Sequence, residues 1–217
     1  MSRLRMKNTR DSEKSILQRH IYEHKAIYLV LLILFLVGFI IGSINAAFAR
    51  EEIRTESQNY ILNFVQYLKT QEIDSNILLR ESITANIKPI IYIMLFGLVF
   101  IGIPFIFIYI GLYSYSIGFT VTSIMAGLGV KQGSAFILTL MLPQEIVLLP
   151  TIFVIGVNAI LFSKVMLKIN NRSVNIKKEF LKYTMIFVIG LLIAFGISLF
   201  ETYIGSSLTK MAVKLVA

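Results

Sequence analysis

Hydrophobic residues along this chain come in long unbroken runs rather than in alternation. Ala26 to Ala49 carries no charge for 24 residues, and a helix of about 20 apolar residues covers the ~30 Å hydrocarbon core of a bilayer. Pro89 to Val130 is charge-free for 42 residues, enough for two helices joined by a tight turn. The expected break is Gly102-Ile103-Pro104, because proline lacks a backbone donor and disfavours helix in the residue before it. The tyrosines Tyr109, Tyr113 and Tyr115 leave a later break open. Gly133 to Leu142 is too short to span and ends at Pro143-Gln144-Glu145, so 131–145 reads as a re-entrant or interfacial segment. Ile146 to Ser163 and Tyr183 to Phe200 supply two further runs of 18 uncharged residues each. The pattern predicts an all-α, polytopic membrane protein with about five transmembrane helices: 26–49, two within 89–130, 146–163 and 183–200.

Between the runs the periodicity changes. In the leader 1–25, Ile16, Leu17, His20, Ile21 and His24 share a helical stripe flanked by Lys14, Arg19 and Lys25, the pattern of an in-plane helix drawn to anionic lipid. Segment 50–88 places Ile53, Tyr60, Ile61, Phe64 and Leu68 in one helical stretch and Ile77, Leu78, Ile83 and Ile87 in another. Asp74-Ser75-Asn76 offers caps for the second helix, so a helical hairpin is expected. Thirty-nine residues bury little core alone, and this piece must pack on the spans, on a second copy or on a partner. In the tail 201–217, Leu208, Met211, Ala212, Leu215 and Val216 keep helical spacing opposite Lys210 and Lys214. A small interfacial helix and a continuation of the last span are equally good readings of it.

Composition sharpens this. Apolar residues make up 56% and charged ones 15%, against roughly a quarter charged in soluble domains; a cytosolic enzyme is excluded. The net charge of +9 raises the question of nucleic acid, but in such a chain basic residues first report sidedness. Residues 1–25 hold seven Lys or Arg, and 164–182 hold six against the single acid Glu179. Segment 50–88 has five basic residues against six acids, and the tail has Lys210 and Lys214. Five crossings with the N-terminus cytoplasmic and the C-terminus external satisfy all four flanks. The expected partners are membrane lipid and a second copy of the chain in a homodimer, with no nucleic acid. Ala47-Phe48-Ala49 has the small-x-small form of a signal-peptidase site, but its apolar run is longer than a signal-peptide core; a retained anchor is expected.

Candidate chemistry is sparse. No cysteine and two histidines remove thiolate metal sites, disulfides and cysteine nucleophiles. His20-Ile21-Tyr22-Glu23-His24 matches the H-x-x-E-H pattern of a group of zinc peptidases, but no folded domain stands nearby to supply a third ligand; two amphipathic histidines at a lipid interface is the expectation. No cofactor, metal or catalytic residue is expected. Within the apolar region the ionisable residue is Glu145, a candidate intramembrane polar group whose nearest basic residue in sequence is Lys131. A setting at an interface or in a turn between Pro143 and Pro150 explains it equally well. The recurrent glycines suit close helix contact.

The order of these parts, with Asn86-Ile87-Lys88 closing the helical segment, two tightly linked Gly-rich spans and then Leu142-Pro143-Gln144-Glu145-Ile146-Val147-Leu148-Leu149-Pro150, resembles the stage II sporulation protein M family over nearly the full chain. Wider relatives show His-Gly after the first proline and Glu before the second. Here Gln144, Glu145 and Leu148 stand instead, so no catalytic role carries over. The resemblance implies a multi-pass protein of the mother-cell and septal membrane of a spore-forming bacterium. It further implies a non-enzymatic scaffold for engulfment that anchors the peptidoglycan-degrading stage II sporulation proteins D and P. The surface expected to bind them is on 50–88, with Tyr60, Phe64, Tyr67 and Leu68 as large side chains that the segment alone has no means to bury, together with 131–145. An alternative of another class is a permease-like subunit of the ABC-exporter type working with a cytoplasmic ATPase; the chain has no Walker A motif and little intramembrane polarity for a hydrophilic substrate.

The charge asymmetry yields a direct test. A single cysteine at Ser57 should be labelled by an impermeant maleimide in intact cells, and one at Ser173 should be protected. Equal labelling of the two positions would overturn the five-span arrangement.

Overall fold

The computed structural model describes residues 16–70, 75–99, 101–167 and 175–205. The side chains of Tyr67 and Leu68, Asp74 of the expected cap and the tail from 206 onward lie outside the described residues. Among these residues every regular element is helical. They are α1 (Ile16–Glu23), α2 (Lys25–Ala47), α3 (Glu51–Thr70), α4 (Ser75–Gly97), α5 (Gly102–Leu128), α6 (Val130–Phe136), α7 (Leu142–Leu167) and α8 (Ile176–Phe200). A π-helical turn, Ile137–Met141, joins α6 to α7, and another, Glu201–Gly205, comes after α8.

Among the described residues four helical stretches are long and apolar enough to cross a membrane: Lys25–Ala47, Gly102–Leu128, Val130–Leu167 and Ile176–Tyr203. Their outward faces leave Leu29, Ile33, Val37, Ile40, Ile108, Leu112, Val188 and Leu192 exposed. A continuous apolar surface of this kind is stable only against lipid, and the chain is a multi-pass membrane protein. α4 runs among these helices but is polar in its first half, with Arg80, Glu81 and Lys88, and apolar from Pro89 onward. The sequence boundary at 88/89 is therefore no structural break, since one helix passes through it.

The contacts give the direction of each helix. Phe96 of α4 stacks on Phe105 of α5, and the Tyr183 hydroxyl of α8 donates to the Met94 carbonyl at 2.7 Å. Gly97 accepts from Ser163 of α7 at 2.9 Å, and Phe162 stacks on Tyr183. At this end α2, α5 and α8 begin and α4 and α7 finish. Lys25, Lys164, Lys177, Lys178 and Lys182 collect here, and it is called the basic end; the other is the far end. α7 is the central helix: Leu148, Ile152, Ile155, Val157, Ala159 and Ile160 are buried against Leu31, Ile90, Ile93, Ile106, Ile110 and Ala194 of its neighbours.

α4 ends at Gly97 and α5 begins at Gly102, whose amide donates to the Val99 carbonyl at 2.9 Å. This joint is just before the expected break at 102–104. Pro104 lies in the first turn of α5, where amides have no intrahelical acceptor and a missing donor costs nothing; it starts a helix instead of ending one. The segment 131–145 is likewise no separate re-entrant piece, because α6, the π turn and α7 form one helical run. Pro143 has no amide to give the Thr139 carbonyl, and the wider i→i+5 turn sits where that bond is missing. The run of 38 residues is about 57 Å long at 1.5 Å per residue, well beyond a ~30 Å core. Its α6 end lies outside the main bundle, where Gly129 takes a left-handed φ of 82° and turns α6 back onto the end of α5.

That far end carries a second, smaller core. Val65 of α3, Ile124 and Leu128 of α5, Phe136 of α6 and Ile137 pack together, with Ile61 and Met125 at the edge. α3 thus lies on α5 and α6, and the Gln58 amide donates to the Ala126 carbonyl at 3.2 Å. The hairpin expected within 50–88 is two helices with different hosts: α3 on this cap and α4 in the bundle.

The tightest seam joins α2 to α5, which run parallel. A Cβ at Gly42 would strike the Tyr115 carbonyl and one at Gly118 the Phe39 carbonyl, so the backbones touch without intervening side chains, the geometry small residues permit between membrane helices. Ser43 donates to the Gly118 carbonyl at 3.3 Å, and the Asn45 amide to the Tyr115 hydroxyl at 2.8 Å. Gly118→Leu should therefore cost at least about 1–3 kcal/mol through overpacking, read as a lower thermal midpoint in detergent. Gly196→Ala, where a Cβ meets nothing within 4 Å, should leave that midpoint unchanged or slightly raised.

Candidate functional site

Two features at the far end gather the functional candidates. The first is a trough of about 440 Å³ between α3 and the end of α5, with Tyr60, Phe64 and Ile61 on one wall and Phe119, Ile124 and Phe136 on the other. It adjoins a polar hollow of about 920 Å³ along the same helix, lined by Arg50, Glu52, Glu56, Asn59 and Asn63. Tyr60 and Glu56 belong to both. The helical register decides which side chains are spent on folding: Val65 is 5% exposed, whereas Tyr60 and Phe64 are 74% and 44% exposed. Two of the expected partner-binding residues therefore remain available at the surface after the cap has formed.

The second feature is a polar network where α4, α7 and α8 meet. Asn86 of α4 is fully buried. Its amide nitrogen donates to Ser198 Oγ at 3.1 Å and lies 3.3 Å from both Ser82 Oγ and Glu201 Oε2. Its carbonyl oxygen accepts from Gln144 Nε2 at 2.7 Å. Ser82 also donates to Glu201, and the buried Thr202 hydroxyl bonds the Ser198 carbonyl at 2.8 Å. A buried amide is tolerated only when its donors and acceptor are met, and Asn86 meets them by tying three helices together.

Glu145, one residue on from Gln144, points to a different helix. Its carboxylate accepts from the Tyr113 hydroxyl of α5, with both oxygens at 3.4 Å. Tyr113 takes the place expected of Lys131, which is exposed near the start of α6. Glu145 also lies within electrostatic reach of Glu201. The Pro143-Gln144-Glu145 turn thereby fastens the start of α7 to α4 on one side and to α5 on the other. Among the described residues no group of three or more His, Asp or Glu converges as a metal site would require. In the H-x-x-E-H motif the His20 and His24 rings meet edge to face at 5.0 Å, Glu23 pairs with Arg19 at 3.8 Å, and His20 faces Asn158 of α7.

Comparison with known proteins adds the decisive fact. The family model for stage II sporulation protein M matches residues 31–206. The chain belongs to that family. It is accordingly a sporulation-related, multi-pass membrane protein. No curated protein and no solved structure matches it. The family region takes in the trough and the whole network; α1 and the first turns of α2 precede it.

Sequence reasoning named Gln144 and Glu145 but missed the centre of the network. Ser82 and Asn86 are four residues apart and Ser198, Glu201 and Thr202 three or four apart, so each set lines one helical face. Polar residues at helical spacing beside apolar runs were the available signal. Asn86→Leu leaves Gln144 without its acceptor and takes one donor each from Ser198 and Glu201, and should destabilise the protein by about 1–3 kcal/mol, measured as a fall in its unfolding midpoint. Thr84→Ala, whose exposed hydroxyl bonds only the Arg80 carbonyl of its own helix, should change it by less than about 0.5 kcal/mol.

Proposed function

We propose that this chain is the membrane scaffold of the sporulation engulfment machinery, holding peptidoglycan-degrading proteins against the outer face of the septal and mother-cell membrane. It crosses the bilayer five times, α4 included, with the basic end cytoplasmic and the far end external. It does no hydrolysis itself. The partners are the stage II sporulation proteins D and P, a reading that rests on the family.

The observation that carries this is the division of labour on α3. Its inward stripe, the buried Val65 with the half-buried Ile61, is used in the cap, while Tyr60 and Phe64 stay exposed over an apolar trough. Aromatic side chains with an apolar floor behind them are the usual anchors of protein interfaces. The orientation is supported by the collection of lysines at the basic end, since short basic flanks stay in the cytoplasm. The Asn86 network and the α2–α5 seam supply the rigidity a recruiting platform needs.

The test is retention of partners. Alanine at both Tyr60 and Phe64 should leave the protein's membrane abundance near normal and remove protein D or protein P from pull-downs, a loss of about 2 kcal/mol or more of binding. Partner recovery that is unchanged, or that falls only in proportion to the scaffold's own abundance, would put the recruiting surface elsewhere.

A further inference from the structure

We infer that α1 is a pH-sensitive latch, held on α7 by the unprotonated imidazole of His20 against Asn158 and released when that imidazole gains a proton. The residues that form it come from both ends of a long sequence gap, and α1 lies before the stretch that the family model matches.

The geometry defines which protonation state fits. Asn158 Nδ2 donates to the Val154 carbonyl of its own helix at 2.8 Å and also faces His20 Nε2 at 3.4 Å. A nitrogen that already donates to a carbonyl is an amide NH2, so its second hydrogen points at His20 and Nε2 must accept. A protonated ring would set N–H against N–H. Among the other neighbours Glu23 pulls the opposite way. From α1, the His24 ring is 5.0 Å away edge to face, and Glu23 is engaged by Arg19. From α2, Tyr28 stands edge-on at 6.0 Å, and Lys25 lies over the Tyr22 ring. From α7 the facing group is the neutral Asn158. Burial of the ring, and after it the adjacent His24, holds the His20 pKa below its ordinary 6.5, against a weaker opposing pull from Glu23.

The sign is set by linkage. A histidine whose pKa is lower in the docked state favours docking above the free value of about 6.5. That contribution is lost as pH falls through the docked value. Between the two values the docking equilibrium drops roughly tenfold per pH unit. Release also adds positive charge to a helix that already carries Arg19, which increases its attraction to an anionic lipid surface. α1 thus changes hosts, from α7 to the bilayer, on acidification.

The full chain has neither cysteine nor tryptophan, so it takes site-specific labels cleanly. Spin labels at Gln18→Cys in α1 and Lys164→Cys in α7, in the full-length protein in lipid nanodiscs, report the separation of the two helices by pulsed electron resonance. From about pH 8 to about pH 5 the short-distance population should fall in the native background, over the range of a histidine titration. With His20→Gln, whose amide oxygen accepts from Asn158 at every pH, the short distance should persist throughout. With Asn158→Asp the sign should reverse, because a carboxylate prefers the protonated ring and docking then strengthens on acidification. A distance unchanged by pH in the native background would overturn the latch. So would equal release in His20→Gln, or an Asn158→Asp protein that still releases in acid.

Discussion

In hydrocarbon one apolar helix has no hydrophobic reason to approach another, since lipid tails are as apolar as leucine. The bundle must therefore be held by close shape and by a few polar bonds, and this constraint explains where its specific residues lie. α2 and α5 meet backbone to backbone because glycine and serine occupy the seam. α4, α7 and α8 meet through one buried asparagine. α7 sits between these two fastenings, and its buried isoleucines fill the space they define.

The two halves of the protein divide along that constraint. Within the main bundle, apolar faces turned outward are covered by lipid and carry no partner signal. At the far end α3, the last turns of α5 and α6 build their own small core, which allows apolar residues to be sorted in the ordinary way into buried and exposed. Only there does an exposed Tyr60 or Phe64 stand out as unspent. The prolines of α7 serve the same architecture. Pro143 comes just after the π turn, so the helix changes pitch shortly before Gln144 and Glu145 diverge toward α4 and α5.

The basic end obeys a different rule, since water and lipid headgroups are at hand. Asn175 caps α8 by accepting from the Lys178 amide at 3.3 Å, and Lys182 pairs with Glu179 at 2.8 Å on the exposed face. Such surface pairs contribute little. The contact with consequences at this end is His20 with Asn158, a polar bond that couples the leader to the central helix.

How much of this was legible in the residues depends on how local each signal is. Helix, membrane and the basic flanks are local properties: an uncharged run of 24 residues has only one stable form in a bilayer, and the family's Leu142–Pro150 block is contiguous. Element joints were less legible, because a proline such as Pro104 ends a helix or begins one depending on which side has its amides free. Partners across the bundle were not legible at all. Lys131 is near Glu145 in sequence, but the direction in which a helix turns its side chains is set by packing, and that brought Tyr113 to it. Asn86 with Gln144, and His20 with Asn158, are pairs that the sequence by itself leaves unconnected. Hydropathy determined that these segments are helices for a membrane; only the tertiary structure decided which faces meet, because contact between helices depends on where small and polar side chains coincide in three dimensions.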